Sequence, residues 1–557
     1  MGYTTYKFDV LAEHAEKAID IFSNFFIEPL FTQSGTNREV NAVDSENSKN
    51  LISDLRRRLQ VLKALAKPDH HYSKFSTGNA ITLPAAINND KESEDKQISA
   101  SKVREALLAF HKYHYRPEAM TVVCIGPQSL DTLEKWVVPR YSAVKNRWKE
   151  TDEKGMTDIE KLIEHSARDA PNNHFRTPPP PYNPAFSSDI QGGKWPVLLT
   201  TLPLKSLRKL VLLFPVPPIR YKQDQSPLKI LTHLLGHEGK GSAFALLQDA
   251  GLLTSLSTGT RISAPDQCVF QIDINLTENG ESQWKDVVDC VFRHCHLIYQ
   301  TARLALKERT KMESLSEVQK KIIGEMNDVV TPNMCKLQVA WNEIISLSNM
   351  QFNQTSPGSA YNLAPGLANS VLMYGTEKCM STGYMLDENM KTLPLDELME
   401  FVSLLIPRNC IVERCSQMAW DEAKSKEFQK DTFFGFKKEK WYGVEYCLSD
   451  IDEIDVSVWT STKENNDKDG MNSNESDKAV VDDSKFGQLF LPKENQFIPR
   501  NLDLCPDLPL EAHSPRIEKE IDPPNLIVDD NKFGKFYDMK HWIIFKLISL
   551  ILLSVLK

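Results

Sequence analysis

Hydrophobic residues along the chain alternate between the spacing of helices and that of strands. Over 11–27, apolar side chains recur every three or four residues, which predicts an amphipathic helix that ends before Pro29. The next pattern predicts one long helix over 36–65, and a further helix over 101–114 leads into an apolar strand over 120–126. This order predicts an α+β unit in which helices pack on a sheet.

A second α+β unit is predicted beyond a proline-rich segment. Residues 177–184 cannot form a helix or a central strand, so we interpret them as an extended, semi-stiff linker. A ligand for a proline-recognition domain is the alternative. The apolar run 207–215 then predicts a strand, followed by a helix and a glycine-rich turn.

Composition and charge exclude some classes of function. The 557 residues include 41% hydrophobic side chains, enough to bury several cores. The net charge of −9 argues against a nucleic acid partner, because a phosphate-binding surface gives a basic excess. Ten cysteines without a C-x-x-C pair, and no apolar leader, indicate a cytoplasmic protein with reduced thiols.

The last apolar run of the chain, 542–556, is interrupted by Lys546. It is shorter than the roughly 20 residues that a membrane-spanning helix needs. We interpret it as the artefactual end of a misassembled coding sequence, with a tail anchor as the alternative. A membrane is therefore not expected as a partner unless this tail is an anchor.

Two glutamates near the start of the long predicted helix are the first candidates for chemistry. Glu39 and Glu46 lie seven residues apart and therefore share one helix face. Such a pair suits a metal ligand supported by a second acid. A solvated surface, neutralised by Arg38 and Lys49, is the alternative.

Two segments that contain histidine are further candidates. His233 and His237 have the i, i+4 spacing of zinc ligands on a helix, but Glu238 is not where a catalytic base would stand. Packed or capping histidines are the alternative there. The second group is Cys290, His294, Cys295 and His296 on one predicted helix. Consecutive positions of a helix point in different directions, so at most Cys290 and His294 share a face. Ordinary buried cysteines and half-exposed histidines are therefore favoured over a metal site.

The segments 37–46 and 68–79 together resemble the insulin-degrading enzyme and nardilysin group of pitrilysin-like zinc metallopeptidases. The resemblance implies an α+β fold of repeated pitrilysin-like units, each an antiparallel sheet with packed helices. It also implies a His-x-x-Glu-His helix that supplies two zinc ligands and the general base, and a later Glu that supplies the third ligand. Glu46 matches that third ligand, and Glu39 matches the acid that supports it.

The sequence contains neither a His-x-x-Glu-His nor a His-Glu-x-x-His segment. Because a catalytic zinc needs about three protein ligands, we expect this chain to retain no Zn²⁺ and to be inactive. Two functional hypotheses follow. The chain is a zinc metalloendopeptidase of small peptides with an incomplete gene model, or it is a non-catalytic relative that binds peptides or forms heterodimers.

The resemblance further implies a substrate exosite away from the zinc. The segment 233–242 matches the family exosite that holds the amino terminus of a peptide, and 256–259 matches its strand. Exposed backbone, two imidazoles and a carboxylate suit the capture of an ammonium group and an extended strand. Peptides are therefore the expected partners, together with a homo- or heterodimer by resemblance. The expected exosite residues are His233, Gly236, His237, Glu238, Gly239, Leu256 and Thr258.

The resemblance also divides the chain into parts, without separating the insulin-degrading enzyme type from the nardilysin type. The acidic, polar composition of the third part predicts a disordered linker. The parts are an incomplete first metallopeptidase-like domain with the proline-rich linker over 1–192, the second, exosite-bearing domain over 193–461, the linker over 462–490, the start of a third domain over 491–535, and an apolar tail over 536–557.

Overall fold

Helices pack around one large sheet, which confirms the expected α+β class. No helix in the part of the chain that the structure describes is both long and apolar enough to cross a membrane. The computed structural model describes residues 4–85, 96–146, 156–157, 160–161, 182–186, 189–190, 193–218, 227–264, 266–314, 332–354, 358–384, 392–426, 433–460 and 482–499.

The amino-terminal part is helical in its described residues. Side-chain caps fix two of the helix starts, where Thr32 accepts the backbone N–H of Gly35 and Ser129 accepts that of Thr132. The helices are α1 (Ala15–Ile27), α2 (Gln33–Leu51), α3 (Asp54–Ala64), α4 (Thr82–Ala85), α5 (Lys96–His114) and α6 (Leu130–Tyr141).

The prediction of one long helix over 36–65 is wrong, because the chain breaks between α2 and α3. Ser53 has an extended backbone at the break. The break aims the carboxylate of Asp54 at the backbone N–H groups of Leu204 and Lys205, at 2.8 and 3.0 Å. Leu204 lies 150 positions after Asp54, so the local hydrophobic pattern around Asp54 cannot indicate this contact.

The predicted strand over 120–126 starts with an extended backbone at Met120, but it belongs to no sheet among the described residues. Its apolar residues, Val122 to Ile125, follow one another without interruption, as in a buried strand. No described strand lies beside it to form a ladder.

A seven-stranded sheet forms the centre of the second part, inside the predicted range 193–461. Its strands are β3 (Val197–Thr201), β4 (Lys209–Val216), β5 (Leu253–Ser263), β6 (Cys268–Leu276), β7 (Ile411–Cys415), β8 (Phe433–Lys438) and β9 (Glu445–Asp450); β1 (Asp189–Ile190) and β2 (Gly193–Lys194) form a separate pair. The order in the sheet is β5-β6-β4-β7-β3-β9-β8, and all neighbours are antiparallel except β3 and β7.

One face of the sheet is covered by helices of the second part. The helices are α7 (Pro227–Leu235), α8 (Ala243–Asp249), α9 (Glu278–Ser282), α10 (Trp284–Glu313), α11 (Pro332–Gln354), α12 (Ala360–Lys378, kinked at Gly375), α13 (Leu395–Val402), α14 (Gln417–Ser425) and α15 (Glu453–Thr460). The longest of these is α10, which buries Val287, Val291 and Ile298 in the main core with Leu212 of β4.

The end of the predicted acidic linker, 462–490, folds as a hairpin. The strands β10 (Asp482–Ser484) and β11 (Gly487–Leu489) pair, and the next backbone N–H, of Phe490, donates to the carbonyl of Gly241 at 3.1 Å. The described end of this range is thus ordered, because Leu489 and Leu491 are buried in the main core, and the division into domains stays a prediction. Residues 462–481 of the linker, 500–535 of the predicted third domain, the tail and 177–181 lie outside the described residues.

The other face of the sheet is covered by α3. Val61 and Leu62 of this helix pack against Val211 and Leu213, which alternate along β4 with residues of the main core. The helix also places a charged side chain against the sheet. Arg58 forms a bidentate ion pair with Glu413 of β7, in which Nε lies 2.5 Å from Oε1 and Nη2 lies 2.9 Å from Oε2. Burial by itself would lower the pKa of Arg58, but the adjacent Glu413 carboxylate outweighs it, and the pKa is raised.

We expect Arg58→Met to lower the free energy of unfolding by about 3–5 kcal/mol, because it leaves the Glu413 carboxylate buried without its partner. Urea unfolding followed by tryptophan fluorescence measures the change. The double variant Arg58→Met/Glu413→Leu should lose less. The matched control is Arg309→Met, whose partner Asp396 is 67% exposed, and it should cost about 0–1 kcal/mol. Equal losses of unfolding free energy in Arg58→Met and Arg309→Met would contradict a stabilising role for the buried pair.

Candidate functional site

The two candidate metal-site glutamates, Glu39 and Glu46, both lie on α2 and are exposed. The structure thus places them on one helix, as the spacing predicts. Their roles as supporting acid and ligand stay predictions. The one group of three close potential metal ligands in the described residues contains neither of them.

The residues present do not fit a catalytic zinc. Such an ion takes about three protein ligands, and Glu46 belongs to no group of three close potential ligands in the described part of the chain. No catalytic step through zinc can therefore be built on these residues.

A different group, which the sequence reasoning missed, brings together His70, His71 and Asp266. His70 Nε2 lies 3.4 Å from Asp266 Oδ2, and His71 Nε2 lies 3.4 Å from Asp266 Oδ1. His70 and Asp266 are buried, whereas His71 is exposed. Burial lowers the pKa of His71, against the pull of Asp266.

The protonation of His70 argues against a metal at this group. The backbone N–H of Tyr72 donates to His70 Nδ1 at 3.0 Å, so Nε2 carries the proton of the neutral ring. That Nε2–H points to the carbonyl of Asn183 at 3.2 Å and to Asp266. A metal ligand would instead donate from one nitrogen and bind through the other. His70 therefore joins two chain segments.

The predicted exosite residues come together at one end of the sheet. His233 and Gly236 lie at the end of α7 and just beyond it, and Thr258 of β5 donates to the carbonyl of Thr232 at 3.3 Å. A Cβ at Gly236 would lie 2.7 Å from that carbonyl, so only glycine allows this close approach. The structure thus joins the 233–239 segment to the strand that the sequence paired with it.

The turn after α7 presents polar groups to solvent. His237 Nδ1 accepts the backbone N–H of Gly239 at 3.0 Å, and Glu238 beside it is exposed. His233 faces Glu343 at 3.7 Å, and burial lowers its pKa despite that carboxylate. The two imidazoles are 6.2 Å apart and belong to no metal group in the described residues, so the packed and capping alternative fits them better.

The strand beside this turn is the edge of the sheet. β5 pairs with β6 on one side and has no described neighbour on the other. Leu256 is buried under the strand and Thr258 is half-buried, whereas Ser257 is exposed. An open edge of this kind can accept an extended peptide through main-chain hydrogen bonds.

The four candidates on α10 do not form a metal site in the described part of the chain. Cys290, His294 and Cys295 are buried, as expected for packed residues, and His296 is half-buried. Complete burial, with a smaller contribution from His237, lowers the pKa of His294 to about 4. This ring is therefore neutral at neutral pH and lies close to the exosite turn.

Comparison with known proteins gives matches to one family along most of the chain. The family model described as insulinase, peptidase family M16, matches residues 1–69. The model of the peptidase M16 inactive domain matches residues 102–303, and the model of the middle or third domain of peptidase M16 matches residues 351–542.

Individual relatives agree with these matches. The chain is 29% identical over 539 residues to insulin-degrading enzyme of Drosophila melanogaster, covering 96% of this chain and 43% of the relative. It is 34% identical over 298 residues to the peroxisomal insulin-degrading enzyme-like 1 of Arabidopsis thaliana, covering 54% of this chain and 27% of the relative. The chain thus spans less than half the length of these relatives.

A solved structure supports the fold. Pitrilysin superposes with a TM-score of 0.61 at 18% sequence identity, covering 94% of this chain and 42% of pitrilysin. The three family models and the sequence relatives together show that the chain belongs to the insulin-degrading enzyme and nardilysin-like group of peptidase family M16.

Proposed function

We propose that this chain is the peptide-holding part of a zinc metalloendopeptidase of small peptides, and that by itself it binds peptides without cleaving them. The observation that carries the proposal is the open edge of β5 beside the exposed Glu238 turn. The edge offers a row of main-chain groups, and the carboxylate offers a partner for a free amino terminus.

The amino terminus of a peptide would pair with Glu238, and the residues after it would extend along β5. Main-chain hydrogen bonds supply affinity for many sequences, while the half-buried Thr258 and its neighbours limit the side chains that fit. Glu238 is exposed, so the ion pair adds only about 0.2–1 kcal/mol. Ordering a flexible peptide offsets part of the gain, and a modest affinity follows.

Catalysis needs groups that the described residues do not supply. In a version with a His-x-x-Glu-His helix, Zn²⁺ would take Glu46 as its third ligand, and Glu39 would support that ligand. Zinc would there activate water for attack on a peptide carbonyl. The 557 residues contain no such segment, which supports an inactive chain, and pairing with a relative that supplies it is the heterodimer form of this proposal.

We also propose a cytoplasmic location. No disulfide joins the cysteines within the described residues, and seven of them are buried, which suits a reducing compartment.

The first test compares a labelled extended peptide with its amino-acetylated twin on the full chain. We expect the acetylated twin to bind about two- to fivefold more weakly, because it lacks the ammonium charge that an exposed carboxylate attracts. Glu238→Gln should remove this difference. Fluorescence anisotropy measures both dissociation constants.

The matched control for that test is Glu453→Gln, which removes a glutamate that is 78% exposed and lies on α15. It should preserve the preference for the free amino terminus. Equal binding of the two peptides to the unaltered chain would show that Glu238 does not pair with the amino terminus of a peptide.

The second test is metal analysis of the purified chain after dialysis, combined with a quenched-peptide cleavage assay. We expect zinc far below one ion per chain and no cleavage, because a single carboxylate does not hold the ion. In a version that carries the missing helix, Glu46→Gln should abolish zinc retention and Glu39→Gln should weaken it about 10–100-fold. One zinc per chain with chelator-sensitive cleavage would overturn the proposal of inactivity.

The third test measures how the stability of the folded chain depends on pH. The pKa of His294 is about 4 in the folded chain and about 6.5 when unfolded, so the unfolded chain binds the extra proton between these values. Stability should therefore fall as the pH drops through this window, by at most about 1.4 kcal/mol per pH unit from this group. His294→Gln should flatten the slope of unfolding free energy against pH, whereas His14→Gln, an exposed histidine, should not.

A further inference from the structure

The exosite turn, which we define as residues 236–241, is held in its shape by close contacts at its glycines. Its start is fixed by the approach of Gly236 to a carbonyl of α7, and its middle by the hydrogen bond from Gly239 to the ring of His237. These two contacts join residues that are near one another in the sequence. The end of the turn, at Gly241, is instead held by a residue from a distant part of the chain.

Phe490 is that residue, and it contacts Gly241 through both its backbone and its ring. Its backbone N–H donates to the carbonyl of Gly241 at 3.1 Å. Its ring lies against the same glycine, since a Cβ at Gly241 would be 2.6 Å from the ring atoms Cδ2 and Cε2. Gly241 also has a φ of +83°, which L side chains rarely adopt. Glycine therefore allows Phe490 to come this close to the turn.

The hairpin of β10 and β11 fixes the position of Phe490. The residues on either side of Phe490, Leu489 and Leu491, are buried in the main core. Within the hairpin, Lys485 forms an ion pair with Asp286 of α10, in which Nζ lies 2.7 Å from Oδ2. Phe490 is thus attached to the packed centre of the second part, and its ring is a fixed support for the end of the turn.

The turn carries Glu238, the carboxylate that the proposed function uses. Glu238 is exposed, so the backbone of the turn rather than the packing of its own side chain sets its position. If the turn were free at Gly241, it would have to be ordered when an ammonium group binds. Ordering one backbone residue weakens binding about 5–30-fold, which exceeds the roughly two- to fivefold gain from an exposed ion pair. The pair therefore contributes to affinity only if the turn is already fixed.

We propose that Phe490 is a positioning residue for the capture of peptide amino termini. It holds the end of the exosite turn, so that Glu238 meets the ammonium group of a peptide without further ordering of the backbone. This inference rests on the proposed function, because it names a support of the same site. The open edge of β5 is formed by other residues, so Phe490 affects the binding of the amino terminus and not the main-chain pairing along the strand.

The test measures the dissociation constants of the labelled peptide and its amino-acetylated twin on full-length Phe490→Ala. We expect the free peptide to bind about two- to fivefold more weakly than it binds the unaltered chain, while the twin keeps its affinity. A variant that merely destabilised the second part would weaken both peptides alike. Phe490→Tyr keeps a ring on Gly241 and should retain the preference for the free amino terminus.

Phe486→Ala is the comparison variant, because it removes another half-buried ring of the same hairpin that packs against the main core. It should keep the preference. Hydrogen exchange gives a second measurement that needs no peptide. The amides of Gly239 and Ser242, which donate to His237 Nδ1 and to the carbonyl of Gly239, should exchange faster in the Phe490→Ala chain and unchanged in the Phe486→Ala chain.

Three results would overturn this inference: a preference for the free amino terminus that survives in Phe490→Ala, an equal loss of preference in Phe486→Ala, or unchanged exchange of the turn amides in Phe490→Ala. Failure of the proposed function looks different. Equal binding of the two peptides by the unaltered chain rejects the pairing with Glu238 and this inference with it. A preference that survives in Phe490→Ala rejects only the support by Phe490.

Discussion

The ion pair between Arg58 and Glu413 fixes the arrangement on which the rest of the structure depends. Two charges are buried against one face of the sheet, and each is tolerated only while the other stays within hydrogen-bond distance. The pair fixes which face of α3 lies on the sheet, and Asp54 holds the start of the same helix by accepting the backbone N–H groups of Leu204 and Lys205. The helix α2, which carries Glu39 and Glu46, leads directly into this anchored start of α3.

The strand β5 connects the predicted exosite with the first part of the chain. Thr258, in the middle of this strand, donates to the carbonyl of Thr232 beside the exosite turn. Three and four residues further on, Arg261 and Ile262 line a cavity that residues of the first part also line. The same hydrogen-bonded sheet therefore supports the exosite strand and one wall of this cavity.

The first and second parts of the chain differ in how completely their apolar side chains are buried. In the second part, α10 and its neighbours bury one face of the sheet and α3 buries the other, so that Leu212, Leu213 and Phe214 are almost fully inaccessible. In the first part, Tyr6 and Phe8 are partly exposed between two helix layers. The physical difference is the presence of paired strands in one layer and their absence, among the described residues, in the other.

The sequence by itself determined the class of fold, the helix that ends at Ile27, the buried strand β4 and the family. It also predicted that the 233–239 segment would meet the strand at Thr258. These features follow from spacing along one element or from a resemblance carried by short segments. Tertiary structure alone decided the break at Ser53, the ion pair between residues 355 positions apart and the hairpin before Phe490. It also decided that, among the residues the structure describes, 120–126 joins no sheet. Local periodicity records which side of an element is apolar, but not which distant residue covers that side or supplies the missing hydrogen bond.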